Sequence, residues 1–219
     1  MLSKRLSMIL SMVEPCDVLC DVGSDHGYLA LAVLQNRLAK DVIATDLRHQ
    51  PLLHTQQTFA NANVFEHISY VLSDGIQQVN TKLNTGVICG MGSDLILKII
   101  KQDLGHFKMM SQIITQANTK LPYLRKEMAL LGFEMTQEKI VKDGFFYIAQ
   151  SYHYKDHMIE LNEETLNFGY LLNIQEDLVY EYLLSEKASL EFILDNNPHS
   201  TKHLHLLSLL KTRLDERVN

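Results

Sequence analysis

The stretch CDVGSDHGYLA, residues 20–30, follows an apolar pair and decides the fold prediction. An apolar run, a glycine loop and a second apolar run predict a buried strand, a tight turn and a helix. Nucleotides often bind at such turns, because the backbone amides at a helix start attract anions. This loop instead contains Asp21, Asp25 and His26. The composition of the loop raises the question of which ligand favours carboxylates there.

Strand-like and helical segments alternate over residues 17–131. The predicted strands are rich in β-branched and apolar residues and cover 17–22, 41–46, 68–74, 85–91 and 111–116. Helices are predicted between them at 27–39, 50–62, 93–104 and 120–131. Near-continuous apolar strands that alternate with helices are typical of a parallel sheet buried on both faces. We therefore predict the α/β class, with a doubly wound, Rossmann-like sheet of five parallel strands.

Further elements are expected on either side of these five strands. Ser3 is a candidate cap for a first helix that would run through Val13. Segments 133–141 and 145–154 flank Asp143-Gly144, which is a strong hairpin signal. An antiparallel hairpin should therefore complete the sheet.

The pattern changes near residue 160, where strand signals end and apolar residues recur at helical spacing. One stripe is formed by Val179, Leu183, Leu190 and Leu194, and a second by Leu204, Leu207, Leu210, Leu214 and Val218. Pro198 interrupts the pattern between them, and Ser200 can cap the second helix. We predict a catalytic domain over residues 1–157 and a small all-α domain over 158–219, a helical hairpin of coiled-coil-like character.

The composition is that of an ordinary globular protein, with 219 residues of which 46% are hydrophobic and 21% charged. No apolar run approaches the roughly 18 residues of a membrane span, so we expect a cytoplasmic protein without a membrane partner, and a monomer. Cys16, Cys20 and Cys89 lack C-x-x-C spacing, and the ten histidines form no H-E-x-x-H pattern. We therefore expect reduced thiols and no metal.

The net charge of −6 is unevenly distributed. Residues 1–150 contain 14 basic and 14 acidic residues, whereas residues 151–219 contain 6 and 12. This balance gives no global attraction to nucleic acid, so any polyanionic partner would have to be bound by local basic patches.

The loop after the first strand does not match the common phosphate-binding patterns. A G-x-G-x-x-G fingerprint starting at Gly23 would need glycine where the chain has Asp25 and Tyr28, and no G-K-[ST] sequence is present. Like charges about 4 Å apart repel by roughly 4 kcal/mol at an effective dielectric constant near 20, so these carboxylates disfavour phosphate. A cationic, phosphate-free nucleoside suits the loop. S-adenosylmethionine, which carries an ammonium and a sulfonium, is such a ligand.

The ends of the next three predicted strands agree with this cofactor. Asp46 closes the second strand, where a carboxylate can accept hydrogen bonds from both ribose hydroxyls. Asp74-Gly75 follows the third strand, where an acid can accept from the adenine amino group. Gly90-Met91-Gly92 closes the fourth, where bare backbone lets a methyl donor and acceptor approach closely. Each feature alone could be a cap or a turn, but four in succession favour a methyl-donor site.

The loop after the fourth strand also bears on the methyl acceptor. Enzymes that methylate exocyclic amines of bases usually have [DN]-P-P-[FYW] there, whereas this chain has CGMGS at 89–93. A ring nitrogen such as adenine N1 is already nucleophilic and needs positioning more than a strong base. The sequence therefore favours a ring nitrogen as acceptor.

Six motifs of the chain are LSKRL (2–6), DVGSDHGYL (21–29), SDGI (73–76), CGMGSDLI (89–96), QAN (116–118) and DGFFY (143–147). Together they closely resemble the TrmK family, the bacterial tRNA adenine-22 N1-methyltransferases. The resemblance covers the chain through about residue 154 in order and spacing, and the tail is similar only in its helical character. It implies a class I methyltransferase fold, S-adenosylmethionine as cofactor and tRNA as partner. The implied reaction is methylation of N1 of the flipped adenine at tRNA position 22.

The resemblance also implies roles for individual residues. Those implied to bind the cofactor are Asp21, Gly23, Asp25, His26, Asp46, Leu47, Asp74, Gly75 and Gly90. Those implied to act near the target base are Asp25, Tyr28, Gly90, Met91, Gly92, Gln116 and Asn118. Basic residues that could contact tRNA are Lys4, Arg5, Lys120, Arg125, Lys211 and Arg213. The chain departs from the family pattern on the acceptor side, with Ser93 in place of glycine and Ala117 in place of proline.

Two other functions stay open on the sequence alone. A near-neutral catalytic domain would also suit a small-molecule methyltransferase. A helical hairpin attached to an inactive sheet would suit a binding module that assembles with another protein. Transfer of labelled methyl groups to metabolites would favour the first alternative, and failure to bind S-adenosylmethionine would favour the second.

Overall fold

The computed structural model describes residues 2–174 and 176–218, and over these residues seven strands form one sheet. The strands are β1 (Cys16–Val22), β2 (Ala39–Asp46), β3 (Ile68–Leu72), β4 (Thr85–Met91), β5 (Gln112–Ala117), β6 (Phe133–Asp143) and β7 (Phe145–Tyr154). Their order across the sheet is β3-β2-β1-β4-β5-β7-β6. Strands β1 to β5 pair in parallel, and β7 runs antiparallel to β5 and β6. The predicted α/β sheet with a terminal antiparallel hairpin is confirmed.

The helices lie between these strands and after them. They are α1 (Lys4–Leu10), α2 (Tyr28–Gln35), α3 (His49–Asn61), α4 (Ser93–Gln102), α5 (Leu104–Lys108), α6 (Leu121–Leu130), α7 (Glu163–Phe168), α8 (Asp177–Asn196) and α9 (Thr201–Val218). Ser3 caps α1 as predicted, since its hydroxyl accepts a hydrogen bond from the backbone amide of Leu6. The helix ends at Leu10, before the predicted Val13. The helix predicted over 93–104 ends at Gln102, and a separate short helix follows Asp103.

The sheet has its topological switch at β1, which lies between β2 and β4. The chain runs outward from β1 to β3 and then returns to the other side of β1. In sheets of this kind, a crevice forms at the carboxyl ends of the strands on either side of the switch. Helix α1 packs against β6 and α2 through side chains that include the fully buried Ile9. The N-terminal helix α1 is thus packed into the same core as the sheet.

The chain divides into two compact units, Met1–Leu161 and Asn162–Asn219. In the second unit the predicted stripe on α8 is buried at all four positions. On α9 the buried leucines are Leu206, Leu207, Leu210 and Leu214, whereas Leu204 is 47% exposed, so its assignment to the stripe was wrong. No helix in the described part of the chain is long and apolar enough to cross a membrane.

Candidate active site

A cavity of about 830 Å³ opens at the carboxyl ends of β1, β2 and β4. Its lining includes the acidic residues Asp21, Asp25 and Asp46, together with Gly90 and Met91 at the end of β4. Residues of α1 and α2 complete the wall. The cavity therefore lies at the switch point, where the sequence predicted a ligand.

The loop after β1 has a conformation that requires glycine at two positions. Gly23 and Gly27 have φ angles of +74° and +68°, a region that favours glycine. A Cβ atom at Gly23 would collide with the terminal methyl of Met91, and one at Gly27 would collide with Thr55. Asp25 also has a positive φ, of 51°. The loop is thus closely fitted between the end of β4 and helix α3.

Asp21 is the most perturbed acid of the cavity. Its side chain is buried, with 5% exposure, and burial raises its pKa to about 7, although a hydrogen bond with the backbone of Ala30 acts in the opposite direction. No residue in the described ranges forms an ion pair with Asp21. A buried carboxylate without a cationic partner is destabilised in its charged form, and a cationic ligand would relieve that cost.

The other acids of the cavity are more accessible. Asp25 and His26 are exposed, with Nε2 of His26 3.7 Å from Oδ2 of Asp25. The ring of His26 stacks on that of Tyr28, with centroids 5.7 Å apart. Oδ1 of Asp46 accepts a hydrogen bond of 2.9 Å from the backbone amide of Arg48, which fixes the carboxylate at the end of β2.

A chain of hydrogen bonds links α1 to the end of β4. The guanidinium of Arg5 donates to Oε1 of Gln116 at 3.0 Å, and Nε2 of Gln116 donates to Oδ1 of Asn118 at 2.9 Å. Nδ2 of Asn118 then donates to the carbonyl of Gly90 at 2.9 Å, and its backbone amide donates to the carbonyl of Met91 at 2.8 Å. Gly90 has φ +77° and lies where the pairing of β4 with β5 shifts register, so this network holds an irregular end of β4 beside the cavity.

The family description "Methyltransferase domain" matches residues 2–149. The chain belongs to the methyltransferase domain family. A Bacillus subtilis relative named tRNA (adenine(22)-N(1))-methyltransferase is 27% identical over 148 residues, which cover 67% of this chain and 62% of the relative. The chain thus spans under two thirds of the length of the curated relatives that it matches first.

Solved structures resemble this methyltransferase over nearly its whole length. A Streptococcus pneumoniae protein crystallised with S-adenosyl-L-methionine is 25% identical, with a TM-score of 0.88, and the match covers 98% of this chain and 100% of that one. TrmK of M. capricolum, in complex with S-adenosyl-homocysteine, is 25% identical with a TM-score of 0.82, covering 99% and 98%. The resemblance to TrmK is confirmed, and so is the Rossmann-like methyltransferase fold.

Not all of the predicted site residues of the methyltransferase line the cavity. Those that line it are Asp21, Gly23, Asp25, His26, Tyr28, Asp46, Gly90 and Met91. Gln116 and Asn118 do not line it and are connected to it by hydrogen bonds to the lining residues Arg5 and Gly90. The other predicted residues, Leu47, Asp74, Gly75 and Gly92, lie outside its lining, and Oδ2 of Asp74 is 3.5 Å from Nζ of Lys98.

The predicted RNA contacts have different surroundings in the structure. Lys4 is exposed, and Nζ of Lys120 is 2.7 Å from Oδ2 of Asp94. The prediction that Arg125 contacts RNA was wrong, because its side chain is 2% exposed and its guanidinium donates to Glu138. In the second unit, Lys211 lies 3.5 Å from Glu191, and Arg213 donates two hydrogen bonds to Glu164.

Sequence reasoning missed the role of Arg5 within the site and the contribution of Thr55. Arg5 was assigned to RNA entry alone, but it lines the cavity, contacts Gln116 and lies 5.6 Å from the ring centroid of Tyr147. Thr55 donates to the carbonyl of Asp25 at 3.1 Å and lies 3.2 Å from the hydroxyl of Ser24. The sequence gives no signal for either contact, because each joins residues that are far apart in the chain. Arg5 and Gln116 are 111 positions apart, and Asp25 and Thr55 are 30 positions apart.

Proposed function

We propose that this methyltransferase transfers the methyl group of S-adenosylmethionine to N1 of the adenine at position 22 of tRNA, after the base has been flipped into the site. The observation that carries the proposal is the acidic cavity at the switch point, with a buried carboxylate, Asp21, that has no cationic partner among the described residues. The name of the Bacillus subtilis relative and the cofactor complexes of the two solved structures support the same assignment.

The residues present fit this cofactor. When bound, S-adenosylmethionine supplies an electrophilic methyl group on a positively charged sulfur. Asp21 and Asp25 provide negative charge for a cationic ligand, and they would repel the phosphates of a dinucleotide. Asp46 holds the ribose hydroxyls in the proposal, while His26, Leu47, Asp74 and Gly75 frame the nucleoside from the neighbouring strand ends.

The acceptor side is formed by the loop after β4 in this proposal. Asn118, anchored by Gln116 and Arg5, fixes the Gly90 carbonyl, and Gly90-Met91-Gly92 leaves room for a base to approach the donor. Tyr28 is 53% exposed, and its ring is available to stack on the flipped adenine. N1 of adenine has an available lone pair, so no residue of the site would have to remove a proton from it. The Gly90 carbonyl and Asp25 would stabilise the positive charge that methylation places on the adenine ring.

Binding of tRNA is assigned to local basic residues on the catalytic unit. Lys4 and Arg5 lie on the helix that borders the cavity, and Lys120 lies at the start of α6, so these three are the proposed phosphate contacts. Lys211 remains a proposed contact in the second unit. Arg213 is left out, because two hydrogen bonds already engage it with Glu164. We place the enzyme in the cytoplasm as a monomer.

One experiment identifies the product directly. The protein is incubated with S-adenosylmethionine and unmodified tRNA, the RNA is digested, and the methylated nucleoside is identified by mass spectrometry. The proposal predicts 1-methyladenosine. If the cofactor binds but tRNA receives no methyl group, the tRNA assignment is wrong, and a small-molecule acceptor becomes the better reading.

A further inference from the structure

Two histidines and an aspartate meet at the rim of the cavity. The candidate ligand atoms of Asp25, His26 and His54 all lie within 4.8 Å of one another, and all three residues are exposed. The imidazole rings of His26 and His54 stack, with centroids 5.1 Å apart and planes 9° apart. We propose that these three side chains form a binding site for a transition-metal ion of the Zn²⁺ type. The sequence predicted no metal, because His54 lies on α3, outside any spacing motif that includes the loop.

The chemistry of the ligands selects the class of ion. Two imidazole nitrogens and one carboxylate oxygen are a common set for Zn²⁺, with water in the fourth position. Mg²⁺ and Ca²⁺ prefer sites made only of oxygen, so they should bind poorly here. In a tetrahedral site with bonds of roughly 2.0 Å, ligand atoms lie about 3.3 Å apart. On metal binding, rotation of these exposed side chains would have to close the present separations of 3.7 Å and up to 4.8 Å.

The backbone that carries the three ligands is already fixed. Thr55, next to His54 on α3, is fully buried and binds the carbonyl of Asp25 at 3.1 Å. The same hydroxyl lies 3.2 Å from that of Ser24 in the loop. A metal would therefore need to order side chains only, which lowers the entropic cost of binding. Nε2 of Gln50 lies 3.2 Å from Nε2 of His54. This exposed glutamine can rotate away from the metal. Its Oε1 can instead accept a hydrogen bond from the imidazole N–H of His54 that does not bind the metal.

The position of the site has a consequence for the cofactor, and this step rests on the proposed function. Asp25 and His26 line the cavity assigned to S-adenosylmethionine. A divalent cation bound to Asp25 cancels the negative charge that favours the cationic cofactor and holds the loop side chains in a different arrangement. Zn²⁺ and S-adenosylmethionine should therefore compete.

The metal site is tested without the cofactor or any activity. The full-length protein is titrated with Zn²⁺ by isothermal titration calorimetry at neutral pH, alongside His54→Ala and the control His49→Ala. His49 is an exposed histidine on the same helix and is not part of the cluster. Since loss of a mere outer-shell partner costs 10–100-fold, loss of a ligand should weaken binding at least about tenfold. The control should stay within about twofold. Equal affinities for the wild type and His54→Ala, or equal losses in both variants, would overturn the proposal, and unchanged circular dichroism spectra verify that the variants are folded.

Competition is tested in a second titration, with S-adenosylmethionine added at fixed Zn²⁺. At a free Zn²⁺ concentration about nine times its own dissociation constant, strict competition raises the apparent Kd of the cofactor about tenfold, and a chelator restores it. In His54→Ala the rise should largely disappear. An unchanged Kd in zinc-loaded wild type would overturn the competition. If the cofactor fails to bind the zinc-free protein, the proposed function fails instead, and the calorimetric result for Zn²⁺ still decides the metal site.

Discussion

Replacing Asp21 with asparagine should make the protein more stable and its cofactor binding weaker. Burial raises the pKa of this carboxyl from 3.8 to about 7. Below pH 3.8 the group is protonated in both the folded and the unfolded state, and it has no effect on stability. Between pH 3.8 and 7 only the unfolded state loses the proton, so the free energy of unfolding falls as pH rises and levels off above pH 7.

The size of the effect follows from the shift. A pKa raised from 3.8 to about 7 corresponds to about 4 kcal/mol at pH 8, an upper bound, and to about 2 kcal/mol at pH 5. The asparagine amide adds its own cost of burial, but that cost does not depend on pH. The stability difference between Asp21→Asn and wild type should therefore be about 2 kcal/mol larger at pH 8 than at pH 5, in favour of the variant.

Urea unfolding followed by circular dichroism at the two pH values measures this difference. Asp25→Asn is the matched control, because it makes the same chemical change in the same loop at a side chain that is 68% exposed. Its effect on the free energy of unfolding should be small, within about 0.5 kcal/mol. Calorimetry should show S-adenosylmethionine binding to Asp21→Asn at least about tenfold more weakly, which corresponds to 1.4 kcal/mol for a lost charged contact. A stability difference that is the same at pH 5 and pH 8 would refute the reasoning about Asp21.

Three further predictions concern the loop, the acceptor side and the scaffold. Gly23→Ala should weaken cofactor binding in calorimetry about tenfold, since alanine is strained at φ +74° and its Cβ displaces the Met91 methyl that lines the cavity. Gly144→Ala, at φ +76° in an open hairpin turn, should bind the cofactor normally. Arg5→Ala should lower kcat at least about tenfold, because Gln116 loses its anchor, and it should leave the Kd of the cofactor within about twofold. The control Lys4→Ala should raise only the KM for tRNA. Equal kinetic effects of the two variants would contradict the role of the Arg5–Gln116–Asn118 hydrogen bonds. Glu138→Ala should lower the free energy of unfolding by about 3–5 kcal/mol, since it removes the buried carboxylate that accepts hydrogen bonds from the Arg125 guanidinium. Thermal unfolding that matches wild type would contradict that account.

Much of the fold could be predicted from local patterns. Apolar strands, the Asp143-Gly144 turn and the Ser3 cap are signals within a few residues of each other, and each is found as expected. Sheet order and helix ends depend on longer contacts, so the division of the 93–104 helix at Asp103 had no warning in the sequence. The assignment of Leu204 to the buried stripe was wrong for a related reason. Helical spacing shows which apolar residues share one face of a helix, but it does not show which of them other residues bury.

The candidate site was predictable where its residues follow strand ends. Asp21, Asp46 and Gly90 all lie on the cavity, because the carboxyl ends of parallel strands meet at one edge of a sheet. Side chains brought in from distant segments were not predictable, as the Arg5–Gln116 contact and the approach of His54 to the loop show. Charge alone also misled the reading of Arg125, which is buried against Glu138 instead of facing a partner.

The central claim is that the acidic cavity delivers a methyl group to one adenine of tRNA. Its most direct test uses two tRNA transcripts that are identical except at position 22, where one carries adenine and the other guanine, together with S-adenosylmethionine labelled in the methyl group. The account predicts incorporation of about one methyl group per molecule into the adenine transcript and none into the other. Equal labelling of both transcripts, or labelling of neither by protein that binds the cofactor, would contradict it.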